Sequence, residues 1–304
     1  MRVAVTGATG TIGQALVEAL LDRGDAVTVL SRDEVRAAQE LPHTHAVGWR
    51  DPLSEPAPIE ALSGRDAVVH LAGEPIAQRW SAGAKRRIRE SRELGTRNLV
   101  AGLRAAEPRP RVLVSQSGVD YYPDRGAEPQ DETAPPATGG FLADVVAAWE
   151  RESRAAEELG VRVVNTRTGM VLSETGGALA KMLPPFKFGA GGPVAGGKQY
   201  MSWVHLDDVV GVILRCIDDE SVSGAVNVTA PEPVTNKEFS RTLGRVLVRP
   251  VITPVPGFAL RLLYGEMGSI VTTGRRVVPT RLTELGYEFR YPELEPALRA
   301  AVKP

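Results

Sequence analysis

The stretch VAVTGATGTIG, Val3 to Gly13, constrains this chain more than any other. An apolar run at Val3–Thr6 leads into glycines at 7, 10 and 13, and Ile12, Leu16, Val17, Leu20 and Leu21 then recur at helical spacing. Strand, tight turn and helix form the context in which glycines so spaced bind a pyrophosphate. Gly7 takes the turn, Gly10 lets backbone approach the phosphates, and Gly13 lets the helix pack on the strand. The free N–H groups at the helix start, near Thr11 and Ile12, point at the anion. The expected cradle is Gly7, Thr9, Gly10, Thr11 and Ile12; the alternative is a glycine-rich turn with no ligand.

Apolar runs alternate with helical patterns for the next 160 or so residues. Gly24 ends the first helix, and strands are expected at Ala26–Leu30, His45–Trp49, Asp66–Ala72, Arg111–Ser117 and Val161–Arg167. Helices are expected at Ala84–Ala106 and Phe141–Leu159, with an exposed loop over residues 123–140. This alternation predicts an α/β fold, a doubly wound parallel sheet with right-handed crossovers. Its strands are continuously apolar, as strands covered on both faces are. Residues 170–203 are rich in glycine and proline and are expected to wrap over the sheet as a pocket-forming insertion. A strand in MSWVHL, a helix in DDVVGVILRCI capped by Asp207 or Asp208, and a strand in GAVNVTA follow. From Pro231 the chain reads as a smaller unit, with helices near Asn236–Leu247, Phe258–Tyr264, Thr280–Leu285 and Glu293–Val302. The expected division is therefore residues 1–230 and 231–304.

With a formal net charge of -1, the chain has no electrostatic footprint for nucleic acid or an anionic membrane, so the expected partner is a small molecule. No oligomeric state is legible. Cys216, alone in an apolar helical pattern, reads as a buried inert thiol, and the four histidines form no metal-ligand pattern with it. The chain opens directly on a strand pattern and has no apolar run of about 18 residues, so a reducing cytoplasm is the expected compartment.

The end of the second strand selects the dinucleotide. A cofactor lacking a 2′-phosphate usually meets an acidic residue there. This chain has LSRDE, with Ser31 and Arg32 in that place, and a guanidinium suits a phosphate. NADP is therefore expected over NAD, with Asp33 as the one contrary residue and a solvated surface role as the alternative for Arg32. The fourth strand ends HLAGE. Small residues at that edge, Ala72 and Gly73, let the cofactor lie against backbone, and His70 reads as a core residue.

Together, TGATGTIG, HLAGE, RTGMVL and WVHLDDVV, in this order, resemble the short-chain dehydrogenase/reductase superfamily in its extended, epimerase-like form. More narrowly, LAGEPI, ESRELGT, GVDYY, the Trp149–Glu150 pair, GGPVAGGKQYMSWVHLDD and the segment from NVTAPEPVTNKEF onward resemble the atypical epimerase-family proteins of uncharacterised substrate. The resemblance covers essentially the whole chain. It implies a Rossmann-like sheet with a smaller C-terminal domain over the pocket, and cofactor contacts at Ser31, Arg32, Leu71, Ala72, Arg92 and Val171. Read without the resemblance, Arg92 is one of several basic residues on a helix surface.

The superfamily's Tyr-x-x-x-Lys pair is missing. Aligning Glu150 with the glutamate that often follows it puts Leu142 and Val146 in the two places, and neither transfers a proton. SQSGVDYY remains: Ser117 matches the superfamily's Ser/Thr, and Tyr121 or Tyr122 is the candidate substitute acid, packing being the alternative for both. Lys198, Gln199, Trp203 and His205 are expected to face the pocket. The leading expectation is NADP-dependent hydride transfer on a small polar molecule. The rivals are a non-catalytic NADP-binding protein and a sugar-nucleotide epimerase, the latter disfavoured by the missing tyrosine.

Overall fold

Alternating side chains along each strand build two cores, one on either face of a single sheet. The computed structural model describes residues 1–251, 255–257 and 265–302; the helix expected at Phe258–Tyr264 lies outside the described residues. The chain runs β1 (Arg2–Thr6), α1 (Thr11–Asp22), β2 (Ala26–Ser31), α2 (Glu34–Glu40), β3 (His45–Gly48), α3 (Ile59–Leu62), β4 (Ala67–His70), α4 (Ala82–Ala105), β5 (Val112–Gly118), β6 (Pro129–Gln130) and α5 (Phe141–Arg154). It continues through β7 (Arg162–Thr168), β8 (Met170–Leu172), α6 (Gly177–Lys187), β9 (Tyr200–Met201), β10 (Trp203–His205), α7 (Leu206–Asp218), β11 (Gly224–Val228), β12 (Val234–Thr235) and α8 (Asn236–Leu247). Short helices Gly268–Thr272, Thr280–Glu284 and Leu294–Ala301 follow, with β13 (Arg276–Val277) between the first two.

Seven strands form a parallel sheet in the order β11-β7-β5-β4-β1-β2-β3. This is the Rossmann-like, doubly wound α/β class. The strand order reverses between β1 and β4, and the loops leaving such a reversal part to open a crevice at the carboxyl edge. On β1, Val3 and Val5 join the cluster shared with α1 and α7, while Ala4 joins the one shared with α3 and α4.

A third cluster stands apart from the sheet. Leu172, Leu179, Leu183, Phe186 and Trp203 pack there with Phe239, Leu243 and Leu298, so the 170–203 segment and the C-terminal region share one core. That packing explains a departure from expectation. Residues 177–187 form a helix despite Pro184 and Pro185. The prolines remove two backbone donors, but the stripe Leu179, Leu183, Phe186 is buried, and this burial holds the helix.

Smaller departures have local causes. The helix expected to reach Leu159 ends at Arg154, and a one-turn 3-10 helix, Glu157–Leu159, follows. The cap of α7 is His205, whose Nδ1 accepts from the Asp207 amide at 3.1 Å, in place of the expected Asp207 or Asp208. The Asp208 carboxylate instead accepts from the amides of Arg290 (2.7 Å) and Tyr291 (3.0 Å), tying the C-terminal region to α7. Burial pushes the Cys216 thiol up to about 12, which keeps it inert. No helix among the described residues is long and apolar enough to cross a membrane.

Candidate functional site at the carboxyl edge of the sheet

β1 delivers the glycine loop to the crevice, and its three glycines have different reasons to be there. Gly7 has φ +69°, and a Cβ on it would lie 2.7 Å from the Ala72 amide nitrogen. A Cβ on Gly13 would lie 2.6 Å from Ala8 Cα. The fold itself therefore requires both. A Cβ on Gly10 would meet only the Gly7 carbonyl oxygen, at 3.3 Å. Gly10 is also the N-cap of α1 and offers no side-chain acceptor, so the first amides of that helix face the crevice without a cap. Thr11 packs against Gly176, where any Cβ would overlap its side chain. This contact brings the turn after β8, and so Val171, beside the loop.

The end of β4 forms the facing wall. His70 Nδ1 lies 2.7 Å from Thr6 Oγ1, and His70 Nε2 lies 2.9 Å from Thr96 Oγ1. The Ala72 amide donates to Thr6 Oγ1 at 3.3 Å. Burial, and then the Arg92 charge, pull the imidazole down to about 4, so His70 is a neutral strut. Arg92 is itself buried. Its Nη1 donates to the carbonyls of Glu74 (2.9 Å) and Ile88 (3.2 Å), and its guanidinium lies 5.0 Å from the Trp149 ring. A Cβ on Gly73 would come within 3.1 Å of that guanidinium. Burial lowers the Arg92 pKa to about 10, which leaves it charged at neutral pH.

At the end of β2, Ser31 Oγ donates to the Asp33 carbonyl (2.9 Å), and the Asp33 carboxylate caps α2 by accepting from the Arg36 amide at 3.0 Å. One oxygen of the Asp33 carboxylate is thus engaged by the helix it caps. Arg32 is exposed, and among the described residues its guanidinium makes no hydrogen bond or ion pair. The Glu74 carboxyl is held below its usual range by a hydrogen bond from Gln78, by Arg87, and also by the field of Arg32. The glycine loop thus packs on Leu71 and Ala72, Gly73 lies against Arg92, and Thr11 lies against Gly176, with Arg32 exposed at the end of β2.

The candidates for chemistry are placed differently. Ser117 Oγ donates to Glu150 Oε1 at 2.7 Å. Arg167 grips the same carboxylate twice, Nε to Oε1 at 2.8 Å and Nη2 to Oε2 at 2.9 Å. Its Nη1 donates to the Tyr122 hydroxyl (2.8 Å), which donates to Asn227 Oδ1 (2.7 Å). Tyr122 is fully buried, and burial pushes its hydroxyl up to about 12. Its burial and its two hydrogen-bond partners fit the packing alternative for Tyr122, with the hydroxyl proton directed at Asn227. The Ser117 proton is likewise committed, to Glu150. Tyr121 is half-buried, with its ring 3.4 Å from the Arg167 guanidinium carbon. Leu142 and Val146 are buried, as are Trp203 and His205, and Gln199 bonds the carbonyls of Val194 and Val271. Of the four residues expected to face a pocket, Lys198 alone is exposed.

A cleft of about 380 Å³ opens between the start of α5 and residues 266–275. Trp80, Asp120, Phe141, Leu142, Thr273 and Arg275 line it, and Ser117, Tyr121 and Tyr122 do not. Arg275 Nη1 lies 3.1 Å from Asp120 Oδ1. The sequence reading missed this pair, because nothing local links two residues so far apart. Among the described residues no cluster of three or more His, Cys, Asp or Glu could hold a metal ion.

A family model for NAD-dependent epimerases and dehydratases matches residues 3–229, and one described as a domain of unknown function, DUF1731, matches residues 255–301. The chain belongs to the NAD-dependent epimerase/dehydratase family. It is 41% identical to an epimerase family protein, the chloroplastic SDR39U1 homolog of Arabidopsis thaliana, over all of this chain and 87% of that protein. With epimerase family protein YfhF of Bacillus subtilis it shares 36% identity over 98% of this chain and 97% of that one. The crystal structure of human epimerase family protein SDR39U1 with NADPH superposes with a TM-score of 0.88 at 32% identity, covering 99% of each chain. A UDP-galactose 4-epimerase, 22% identical with a TM-score of 0.76 over 99% of this chain and 97% of that one, shares the fold.

Two outcomes follow from this geometry in an epimerase-family chain lacking the tyrosine–lysine pair. Tyr122→Phe strands Arg167 Nη1 and Asn227 Oδ1, and is expected to lower stability by roughly 1–3 kcal/mol in urea unfolding. Tyr121→Phe, with no such bond to lose, is expected to stay within about 0.5 kcal/mol; equal effects would remove the packing reading of Tyr122. His70 gives a pH dependence. Its folded pKa of about 4 lies below the unfolded value of ~6.5, so the unfolded chain binds more protons between them. This contribution is complete above pH ~6.5 and is lost as pH falls towards 4, by roughly 3 kcal/mol. Denaturant midpoints across that window, measured for wild type and His70→Gln, test it: the variant's profile should be flatter, and identical profiles would refute it.

Proposed function

We propose that this chain is an NADP(H)-dependent, epimerase-like oxidoreductase that transfers hydride at a carbinol carbon of a small polar molecule. The observation that carries the proposal is Gly10. Unlike Gly7 and Gly13 it is not required by any backbone clash, yet it stands at the uncapped start of α1, where a side chain would fill the space a pyrophosphate takes. Arg32, unpaired at the end of β2, and Asp33, committed to capping α2, support NADP over NAD. So does the NADPH in the crystal structure of the human relative.

In this reading the dinucleotide supplies the hydride donor or acceptor. The amides of Thr11 and Ile12 hold its pyrophosphate, with Gly7 and Thr9 shaping the loop. Ser31 and Arg32 take the 2′-phosphate. Leu71, Ala72 and Gly73 present backbone to the ribose, and Val171 closes the far side. Arg92 sets a buried positive charge behind that wall. The near-zero net charge supports a small-molecule substrate rather than nucleic acid or an anionic membrane. A non-catalytic NADP-binding role is favoured by the apolar Leu142 and Val146 and by the commitment of Tyr122. The cleft with a carboxylate and a guanidinium in its wall favours the enzyme.

Gly10→Val is expected to keep the far-UV circular dichroism of the wild type and to lose NADPH fluorescence enhancement. A folded variant that binds NADPH normally would reduce the loop to a turn. Arg32→Ala is expected to narrow the preference for NADPH over NADH by roughly 1.5–3 kcal/mol, the scale of hydrogen bonds to a charged group. Equal affinities of the wild-type protein for both cofactors would overturn the assignment.

A further inference from the structure

We infer that Asp120 is the proton-transfer residue of the cleft, with Arg275 as its positioning partner. The inference rests on the hydride-transfer reading above. It starts from a vacancy of chemistry: Leu142 stands where the superfamily has its tyrosine, and Leu142 lines the cleft. Asp120 lines the same cleft. It sits in the 3-10 turn Val119–Tyr121, directly after β5, whose carboxyl end reaches the edge where the dinucleotide is placed. The hydroxyl groups that the sequence offered in its stead do not line the cleft, and two of them are bound into the interior.

The other acids of the cleft are occupied. Asp124 accepts from the amides of Gly126 (3.0 Å) and Gly274 (3.2 Å), and Glu266 pairs with Lys85. Among the described residues Asp120 pairs with Arg275 alone, at 3.1 Å, and the two side chains keep part of their surface open, 22% and 18%. Burial raises the Asp120 carboxyl above its ordinary value, and the Arg275 charge opposes that shift without cancelling it. The pair thus gives a carboxyl beside a cation a proton affinity above that of an exposed aspartate.

The step balances simply. In carbonyl reduction, hydride from the reduced nicotinamide adds to the carbonyl carbon, and the π pair moves onto the oxygen. That oxygen takes the proton from the Asp120 carboxyl, whose O–H bond breaks. The resulting carboxylate faces Arg275 until solvent in the open cleft returns a proton. Alcohol oxidation runs the same transfers in reverse, with Asp120 as base.

The test uses the whole protein labelled with 13C-carboxyl aspartate, with the Asp120 signal assigned by Asp120→Asn. The Asp120 carboxyl is expected to titrate above the ~3.9 of a free aspartate, and higher again in Arg275→Gln. A carboxyl that only clasps Arg275 titrates at or below ~3.9, and that result overturns the inference whatever the substrate. A second arm follows NADPH oxidation against a panel of small aldehydes and ketones. Asp120→Asn preserves the shape and a hydrogen bond to Arg275. It is expected to lower kcat about 100-fold or more with NADPH affinity unchanged, and full kcat in that variant overturns the inference. Failure of the wild-type protein to bind NADPH would sink the hydride-transfer reading instead, a result distinct from either failure of Asp120.

Discussion

The ion pair between Arg167 and Glu150 holds together the carboxyl edge on which everything else is mounted. The two side chains are 4% and 1% exposed, and two charges so placed lose several kcal/mol of hydration each. They are tolerable because each charge is hydrogen-bonded on more than one side. Two parallel hydrogen bonds join them, Ser117 donates to the carboxylate, and Tyr122 accepts from Arg167 Nη1. The network links β5, α5, β7 and, through Asn227, β11. Deleting one partner of such a pair strands the other and typically costs about 3–5 kcal/mol, a large share of a domain's stability.

Helix α5 passes that constraint to the end of β4. Trp149 and Glu150 are adjacent on it and each engages an arginine, Trp149 lying under Arg92 and Glu150 gripping Arg167. His70 packs edge-on to the same Trp149, at 6.4 Å between ring centroids. In the wider superfamily this helix carries the reactive tyrosine and lysine. Here it is a buttress, with apolar Leu142 and Val146 in their places. The hydroxyls and the guanidinium nearby have become parts of the same buttress.

What was legible in the sequence was whatever repeats locally. The strand–glycine–helix unit, the alternation of strands and helices, and the sheet class all follow from periodicity and turn chemistry, which act within a few residues. α6 was not legible, because its stability comes from burial against Phe239 and Leu243 and its own sequence carries two prolines. The role of Asp33 was hidden because capping is decided by where α2 begins. Arg92 looked like a surface charge because the ring it lies against comes from another helix. For Tyr122 the acid and packing readings stayed open because sequence shows a hydroxyl but not its two partners. Asp120 and Arg275 were invisible as a pair, since only the docking of the C-terminal region brings them together.

That docking also assembles the wall of the cleft that carries Arg275. Ser202 Oγ donates to the Arg275 carbonyl at 2.7 Å and accepts from the Val277 amide at 2.9 Å. β13 pairs in parallel with β6, and Arg276 Nη1 donates to the Ala127 carbonyl at 3.1 Å. These bonds fix the backbone on either side of Arg275, so its guanidinium reaches Asp120 from a defined direction. The sheet needs none of them, because its seven strands close their ladders without residues beyond Val228. The cleft needs all of them. In this chain the guanidinium that faces the Asp120 carboxyl comes from the C-terminal region, so that ion pair exists only through the way the two regions dock.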